Sequence, residues 1–317
     1  MIEVQQSTSQ HTGKETGGET YESLRPYLFA VAYRMTGTAS DAEDLVQDAW
    51  IRYLDAGSPP VTSLKAYLTT IVSRLTLDHL KSARMTRESY VGAWLPEPVL
   101  TQEAIPGPDA TVEQREAVSI AFLTLLERLT PDQRVVFVLR SGFGLPFAEI
   151  GAHLDRSAAA CRQLFQRAER VLDAIPDRPP SPQPGDPKEA IVRKFLTALE
   201  AGDLQGVTSL LTEQATWIGD GGERQLSVRR TVRGADKIAR GMVGLRTKFP
   251  RRKSISILED LNGGPAVVEW VDGTLFRVSS FTVVNDRIAS VQAILNPDKL
   301  THLARTIEPA PERRDDK

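Results

Sequence analysis

Apolar residues recur at helical spacing through the first half of the chain and alternate in short runs through the last third. In "SDAEDLVQDAWIRYL", Leu45, Val46, Ala49, Trp50, Tyr53 and Leu54 fall on one face, and Ser40 with Glu43 has the spacing of a capping box, so the pattern predicts an amphipathic helix opening at Ser40. Val118, Phe122, Leu125, Leu126 and Leu129 repeat the helical spacing, and Thr130 followed by Pro131 starts a further helix in "TPDQRVVFVLR". In "LPFAEIGAHLDRSAAACRQLFQRAERVL" two apolar stripes flank a short polar turn. Ala148, Ile150, Gly151 and Leu154 would pack the first helix, Ser157 would cap the second, and Cys161, Leu164, Ala168, Val171 and Leu172 would face inward. Beyond residue 188 the period changes. A helix pair broken at Gly202 precedes the alternating runs "SISILED", "PAVVEWV", "TLFRVSSFTVV" and "RIASVQAIL", which read as strands.

Two stretches interrupt the periodicity. Residues 88–114 hold five acidic residues and no lysine or arginine, and read as an extended acidic linker; residues 175–187, with six prolines, read as a stiff spacer. They divide the chain into a helical block over 20–87, a second over 115–174 and an α+β block over 188–305, with polar tails at 1–19 and 306–317 expected to be disordered. No apolar run is long enough to span a membrane and the N-terminus has no signal-peptide core, so the expected location is the cytoplasm. Cys161 is the only cysteine and the four histidines, His11, His79, His153 and His302, are scattered, so neither a disulfide framework nor a metal site is expected, and no cofactor.

Charge sharpens the division. The net formal charge is only −2, yet Thr38 to Asp55 carries five carboxylates against Arg52, whereas Val61 to Tyr90 carries five basic residues against two acidic ones. An acidic helix suits a protein partner and a basic one suits phosphates, although both also suit a solvated face. Eleven lysines and arginines between Arg224 and Lys253, against Asp236 alone, form a further basic stretch. On the helix after Ser157 the outward set is Ala158, Ala159, Arg162, Gln163, Gln166 and Arg167. Small residues permit close approach to a major groove, while arginine and glutamine supply forked hydrogen bonds to base edges, as in a helix-turn-helix.

The order "LRPYLFAVAYRMTGTASDAEDLVQDAWIRYL", "LKAYLTTIVSRLTLDHL" and "LERLTPDQRVVFVLR…FAEIGAHLDRSAAACRQLFQRAERVL" resembles bacterial sigma factors of the extracytoplasmic-function type over residues 20–174. The remainder resembles a SnoaL-like domain of the nuclear-transport-factor fold. "WLPEP" (Trp94, Leu95, Pro96, Glu97, Pro98), "DGG" (Asp220, Gly221, Gly222) and "NPDKL" (Asn296, Pro297, Asp298, Lys299, Leu300) link the two, as in the sigma factors that carry such a tail. The resemblance implies two all-α sigma domains, a region 2 bundle and a region 4 helix-turn-helix, followed by an α+β cone with a curved sheet. It also implies core RNA polymerase as a partner of Asp41, Glu43, Asp44, Gln47 and Asp48, and promoter DNA as a partner of the rest. Arg74, Lys81, Arg84 and Arg87 would grip the backbone around a flipped −10 base, and the helix after Ser157 would read the −35 element. Ser73 and Arg74 stand where many members have Arg-Asn, so base preference at −10 does not carry over. The 88–114 segment would pass near the polymerase's RNA path.

For the tail three roles stay open: an enzyme, a small-molecule sensor, or an intramolecular regulator that packs on the sigma regions through the three motifs. Trp217, Asp220, Trp270, Asp272 and His302 are the residues nearest to a candidate catalytic or ligand site, but form no compact acid-base pair. The reading favoured is a non-enzymatic sigma factor regulated in cis, with a compact and an open form.

Overall fold

The computed structural model describes residues 20–88, 90, 92–107, 111–175, 188–223, 225, 227–228, 230–248 and 254–308, without the side chains of 84–88 and 254–257. All but the first residue of the expected spacer at 175–187, the first tail and most of the second lie outside the described residues.

Three helices build the first unit: α1 (Tyr21–Thr36), α2 (Ala39–Asp55) and α3 (Leu64–Glu88). α1 ends at Gly37 in the left-handed conformation (φ 71°), which lets the chain turn directly into α2. The expected capping box is absent: α2 begins at Ala39 without a side-chain cap of its own. The Glu97 carboxylate instead accepts from the amides of Ala39 (2.9 Å) and Ser40 (3.4 Å). Leu54, expected on the inner face, is 42% exposed, while Trp50 is half-buried and stacks on Tyr21.

The supposed extended linker is packed. Leu95 and Val99 are fully buried, Glu97 is 5% exposed, and α4 (Thr101–Ala104) lies against α1. This stretch therefore turns two of its acids, Glu97 and Glu103, toward protein instead of presenting a uniformly acidic strand. Arg34 of α1 donates to the carbonyls of Ala104 and Gly142, tying the first unit to the linker and to the next unit.

The second unit comprises α5 (Val112–Glu116), α6 (Ile120–Leu126), α7 (Pro131–Phe137) running into a π turn (Val138–Gly142), α8 (Phe147–Leu154) and α9 (Ala158–Asp173). Thr130 and Gln133 form the capping box of α7 and Ser157 caps α9 through Ala160 N, as the sequence suggests. Gly151 meets the Arg156 carbonyl so closely that a Cβ would clash, which fixes the tight α8–α9 crossing. Ala148 is exposed and half-buried Phe147 packs in its place, edge-on to Phe165.

The third unit runs α10 (Lys188–Glu200), α11 (Leu204–Ser209), β1 (Leu211–Asp220), β2 (Val232–Arg233), α12 (Ala235–Lys248), β3 (Ser254–Leu261), β4 (Gly264–Val271), β5 (Thr274–Val284), β6 (Arg287–Ile294) and α13 (Pro297–Thr306). The sheet order is β2-β1-β6-β5-β4-β3, with β1 and β6 parallel and the other neighbours antiparallel. On one face Trp217, Phe281, Val283 and Val291 pack with Phe195 and Ile238 of the covering helices. The other face, with Val268, Val278 and Ile294, packs against Leu300 and Leu303 of α13, and also against Leu95 and Ile120 from the preceding units. The tail thus shares a hydrophobic core with the sigma-like part.

Candidate functional site

Three surfaces and one junction carry the chemistry. On α2, Asp44, Gln47 and Asp48 are exposed and continue along the helix into Ile51 (44% exposed) and Leu54. Periodicity placed Leu54 inside and did not single out Ile51, so this mixed acidic and apolar stripe emerges from the fold. Asp41 and Glu43 turn away from it: Asp41 lies 3.2 Å from His79, and Glu43 lies 3.7 Å from His302 of α13.

Along α3, Lys81 is exposed beside Asp78, while the side chains of Arg84 and Arg87 lie outside the described residues. Arg74 keeps 46% of its side chain exposed but is also engaged by the second unit. Its Nε donates to the His153 carbonyl (2.7 Å) and its guanidinium pairs with Asp155 (3.0 Å), both in the turn region of the helix-turn-helix. Thr70 lies beside it, its hydroxyl 2.6 Å from His153 Nδ1. Burial lowers the His153 pKa, which favours the neutral ring in that contact.

On α9, Ala159, Arg162, Gln163, Gln166 and Arg167 are exposed and Ala158 is half-buried, while Cys161, Ala168 and Leu172 are buried beneath. Arg162 also lies over the Phe147 ring at 5.5 Å.

The junction gathers "WLPEP", "DGG" and "NPDKL". Asp220, fully buried at the end of β1, pairs with Lys299 Nζ at 2.6 Å and accepts from Leu95 N (2.8 Å), the Tyr90 hydroxyl (2.6 Å) and Gly222 N (3.1 Å). Lys299 also donates to the Leu95 carbonyl (2.5 Å) and lies over the Trp94 ring at 4.2 Å. Asn296 caps α13 and donates to the Tyr90 hydroxyl (2.9 Å), and its side chain closes over Gly222, which has φ 57°. Pro96 and Pro98 are buried, Pro96 beside Gly37, and Leu300 seats α13 in the shared core. Gly221 lies too close to the Gln225 carbonyl for a Cβ, whereas Pro297 and Asp298 are exposed in the first turn of α13. A buried ion pair with this many hydrogen bonds satisfies the charges that burial would otherwise penalise. Tyr90, which the motifs do not include, has its pKa raised by burial and by its bond to Asp220.

Trp217, Asp220, Trp270, Asp272 and His302 do not form one site. Trp217 and Trp270 belong to different cores, Asp272 is a turn residue with φ 49°, Asp220 is spent in the junction, and His302 faces Glu103 at 3.1 Å and stacks on Phe29. The group of five fails because alternate strand positions and opposite sheet faces separate residues that look alike in sequence. A cleft exists elsewhere, between α5–α6 and the sheet, lined by Phe122, Leu125, Ser280 and Gln292 among others. No metal-ligating cluster is present among the described residues.

A helix-turn-helix beside a helical bundle with an acidic helix and a basic one is the architecture of a promoter-reading transcription factor. Residues 20–86 match the family model for sigma-70 region 2, and residues 119–172 match that for sigma-70 region 4. The chain belongs to the extracytoplasmic-function (ECF) RNA polymerase sigma factors. It is 41% identical to the ECF RNA polymerase sigma factor SigJ of Mycobacterium tuberculosis (strain ATCC 25618 / H37Rv) over 292 residues, covering 89% of this chain and 92% of the relative. It is 32% identical to the probable ECF sigma factor SigI of the same strain, covering 89% and 94%. The crystal structure of the M. tuberculosis SigJ superposes with a TM-score of 0.69 at 38% identity, covering 89% of this chain and 97% of that one. The α+β tail is therefore part of the architecture shared with that structure. The function is that of a sigma factor in transcription initiation, which engages RNA polymerase and DNA.

Proposed function

We propose that this sigma factor acts in the cytoplasm, docks on core RNA polymerase through the Asp44, Gln47, Asp48 and Ile51 stripe of α2, and reads −35 elements with α9 and −10 elements with α3. Asp41 and Glu43 would join the docking face once α3 and α13 release them. The tail is proposed as a non-enzymatic regulator in cis that holds a closed form. The observation that carries this reading is Arg74: a candidate −10 contact is engaged by the His153 carbonyl and by Asp155, which ties α3 to the helix-turn-helix unit while the outward face of α9 stays exposed. The Asp220–Lys299 junction ties the same arrangement to the tail. The coupling works by differential contacts, present in the closed form and absent in an open one.

Run-off transcription with core polymerase on a promoter library tests it, comparing the full chain with chains ending near Pro176 and just before Asn296. The expected outcome is promoter-specific initiation whose level changes when the tail or its last helix is removed. Equal activity of all three would dismiss regulation in cis, and no initiation from any would dismiss the promoter-reading assignments. A small-molecule effector is a second reading, favoured by the cleft beside α6, where the buried Ser280 hydroxyl has no hydrogen-bond partner among the described residues.

A further inference from the structure

The turn between β3 and β4 does more than connect two strands. Leu261 forms an antiparallel bridge with Leu100 of the linker, and Asn262 exchanges hydrogen bonds with Val99: Asn262 N donates to Val99 O (3.1 Å) and Val99 N donates to Asn262 Oδ1 (3.0 Å). The other half of that side chain points onward. Asn262 Nδ2 donates to the Tyr33 hydroxyl of α1 (2.6 Å) and to the Val118 carbonyl at the entrance to α6 (3.0 Å). Tyr33 in turn donates to the Glu97 carbonyl (2.6 Å). One asparagine, only 2% exposed, thus bridges region 2 and the start of the second unit through its amide nitrogen and the linker through its amide oxygen and backbone.

The flanking residues point the same way. Asp260 receives Arg115 through both carboxylate oxygens (2.9 and 3.0 Å) and the Thr101 hydroxyl (2.8 Å), while Gly263 N donates to that hydroxyl (2.9 Å). Asn262 has φ 49°, a conformation asparagine tolerates and most residues resist, and Gly263 (φ 76°) lies so close to the Arg115 carbonyl that a side chain would collide with it. None of "WLPEP", "DGG" or "NPDKL" includes this turn, and it inserts at a different point of the linker from Asp220, at Val99 rather than Leu95.

We propose that the β3–β4 turn is a second latch of the closed form, in which Asn262 is the positioning residue that fixes the separation of regions 2 and 4. This rests on regulation in cis and names the contact that sets the geometry, whereas the Asp220–Lys299 junction anchors the tail. Opening withdraws the amide and leaves the Tyr33 hydroxyl, the Val118 carbonyl and the Val99 amide to find other partners. Both latches must therefore release before the two readers can move apart.

The test uses the full chain with spin labels on Asp55→Cys of α2 and Glu169→Cys of α9, both exposed; Cys161 is buried and its thiol pKa is raised by burial, so it stays in place. Asn262→Asp keeps the acceptor for Val99 N and the turn conformation but removes both donated bonds; Asn262→Gly keeps the turn and removes the side chain. The expected result is a broader and longer distance distribution in both variants, with cooperative thermal melting retained. Full-chain transcription is expected to change by on the order of tenfold. A role confined to folding lowers the melting temperature and leaves the distances as they were, and that result overturns the proposal. If chains with and without the tail transcribe equally, regulation in cis fails whatever the distances show. If they differ while the Asn262 variants keep the original distances, the second latch alone fails.

Discussion

Glu97 occupies the place an N-cap residue would take, although it comes from a segment nearly sixty residues downstream of the helix it caps. Burial pushes its carboxyl up to about 7, against the opposing pull of the Ala39 and Ser40 amides, with Asp41 and Lys299 the nearby charges. Between the ordinary glutamate range and 7 the folded chain holds a proton that the unfolded chain has released. Stability therefore falls as pH rises through that window, and the loss is complete above it. His302 adds a contribution of the same sign: its pKa is raised first by the bond to Glu103, with Glu43 beside it, so its stabilisation is present below the ordinary histidine value and lost as pH rises through the raised one. Glu97→Gln keeps an acceptor for the two amides and removes the titration. It should raise stability at pH 8 by on the order of 2 kcal/mol and flatten the slope between pH 5 and 8. Urea midpoints across that range measure both effects, and parallel slopes in the two proteins would contradict the assignment.

At the scale of elements, α9 and α3 should fail differently. Arg162→Ala on α9 should cost ~1–3 kcal/mol of discrimination at one −35 position, whereas Lys81→Ala on α3 should weaken binding at every sequence and lower the salt slope by about 1. Holoenzyme titrations on promoter variants at several salt concentrations separate the two. The helix-turn-helix was legible because Ser157, the small residues after it and an unbroken inner stripe all agree. β1 was not: "LTEQATWIGD" alternates imperfectly and its register shifts between Leu211 and Thr216, so no clean two-residue period survives. α12 was read only as a basic stretch, since Gly241 and Gly244 interrupt a helix whose buried face is little more than Ile238 and Ala239. The three short motifs were visible in sequence, but the residues that complete their junction and the second latch, Tyr90, Tyr33 and Asn262, were not. Each is an isolated polar residue whose partner lies more than sixty positions away.

For the molecule as a whole, the shared core and the Asp220–Lys299 pair make the tail an integral part of the folded chain. The two partners are not equivalent. Lys299→Met leaves Asp220 with three donors, from Tyr90, Leu95 and Gly222, whereas Asp220→Ala takes from a buried ammonium its anionic partner, beside the Leu95 carbonyl and the Trp94 ring. Asp220→Ala should therefore lower stability by about 3–5 kcal/mol and Lys299→Met by less, an order that thermal melts of the full chain can check. The junction also sets a sequence of events during synthesis. Leu95 and Tyr90 leave the ribosome long before Asp220, and Asp220 long before Lys299, so regions 2 and 4 are complete while the residue that neutralises the junction has yet to be translated. At ordinary elongation rates that interval lasts on the order of ten seconds, and under the proposed regulation in cis every newly made molecule passes through it without its own restraint.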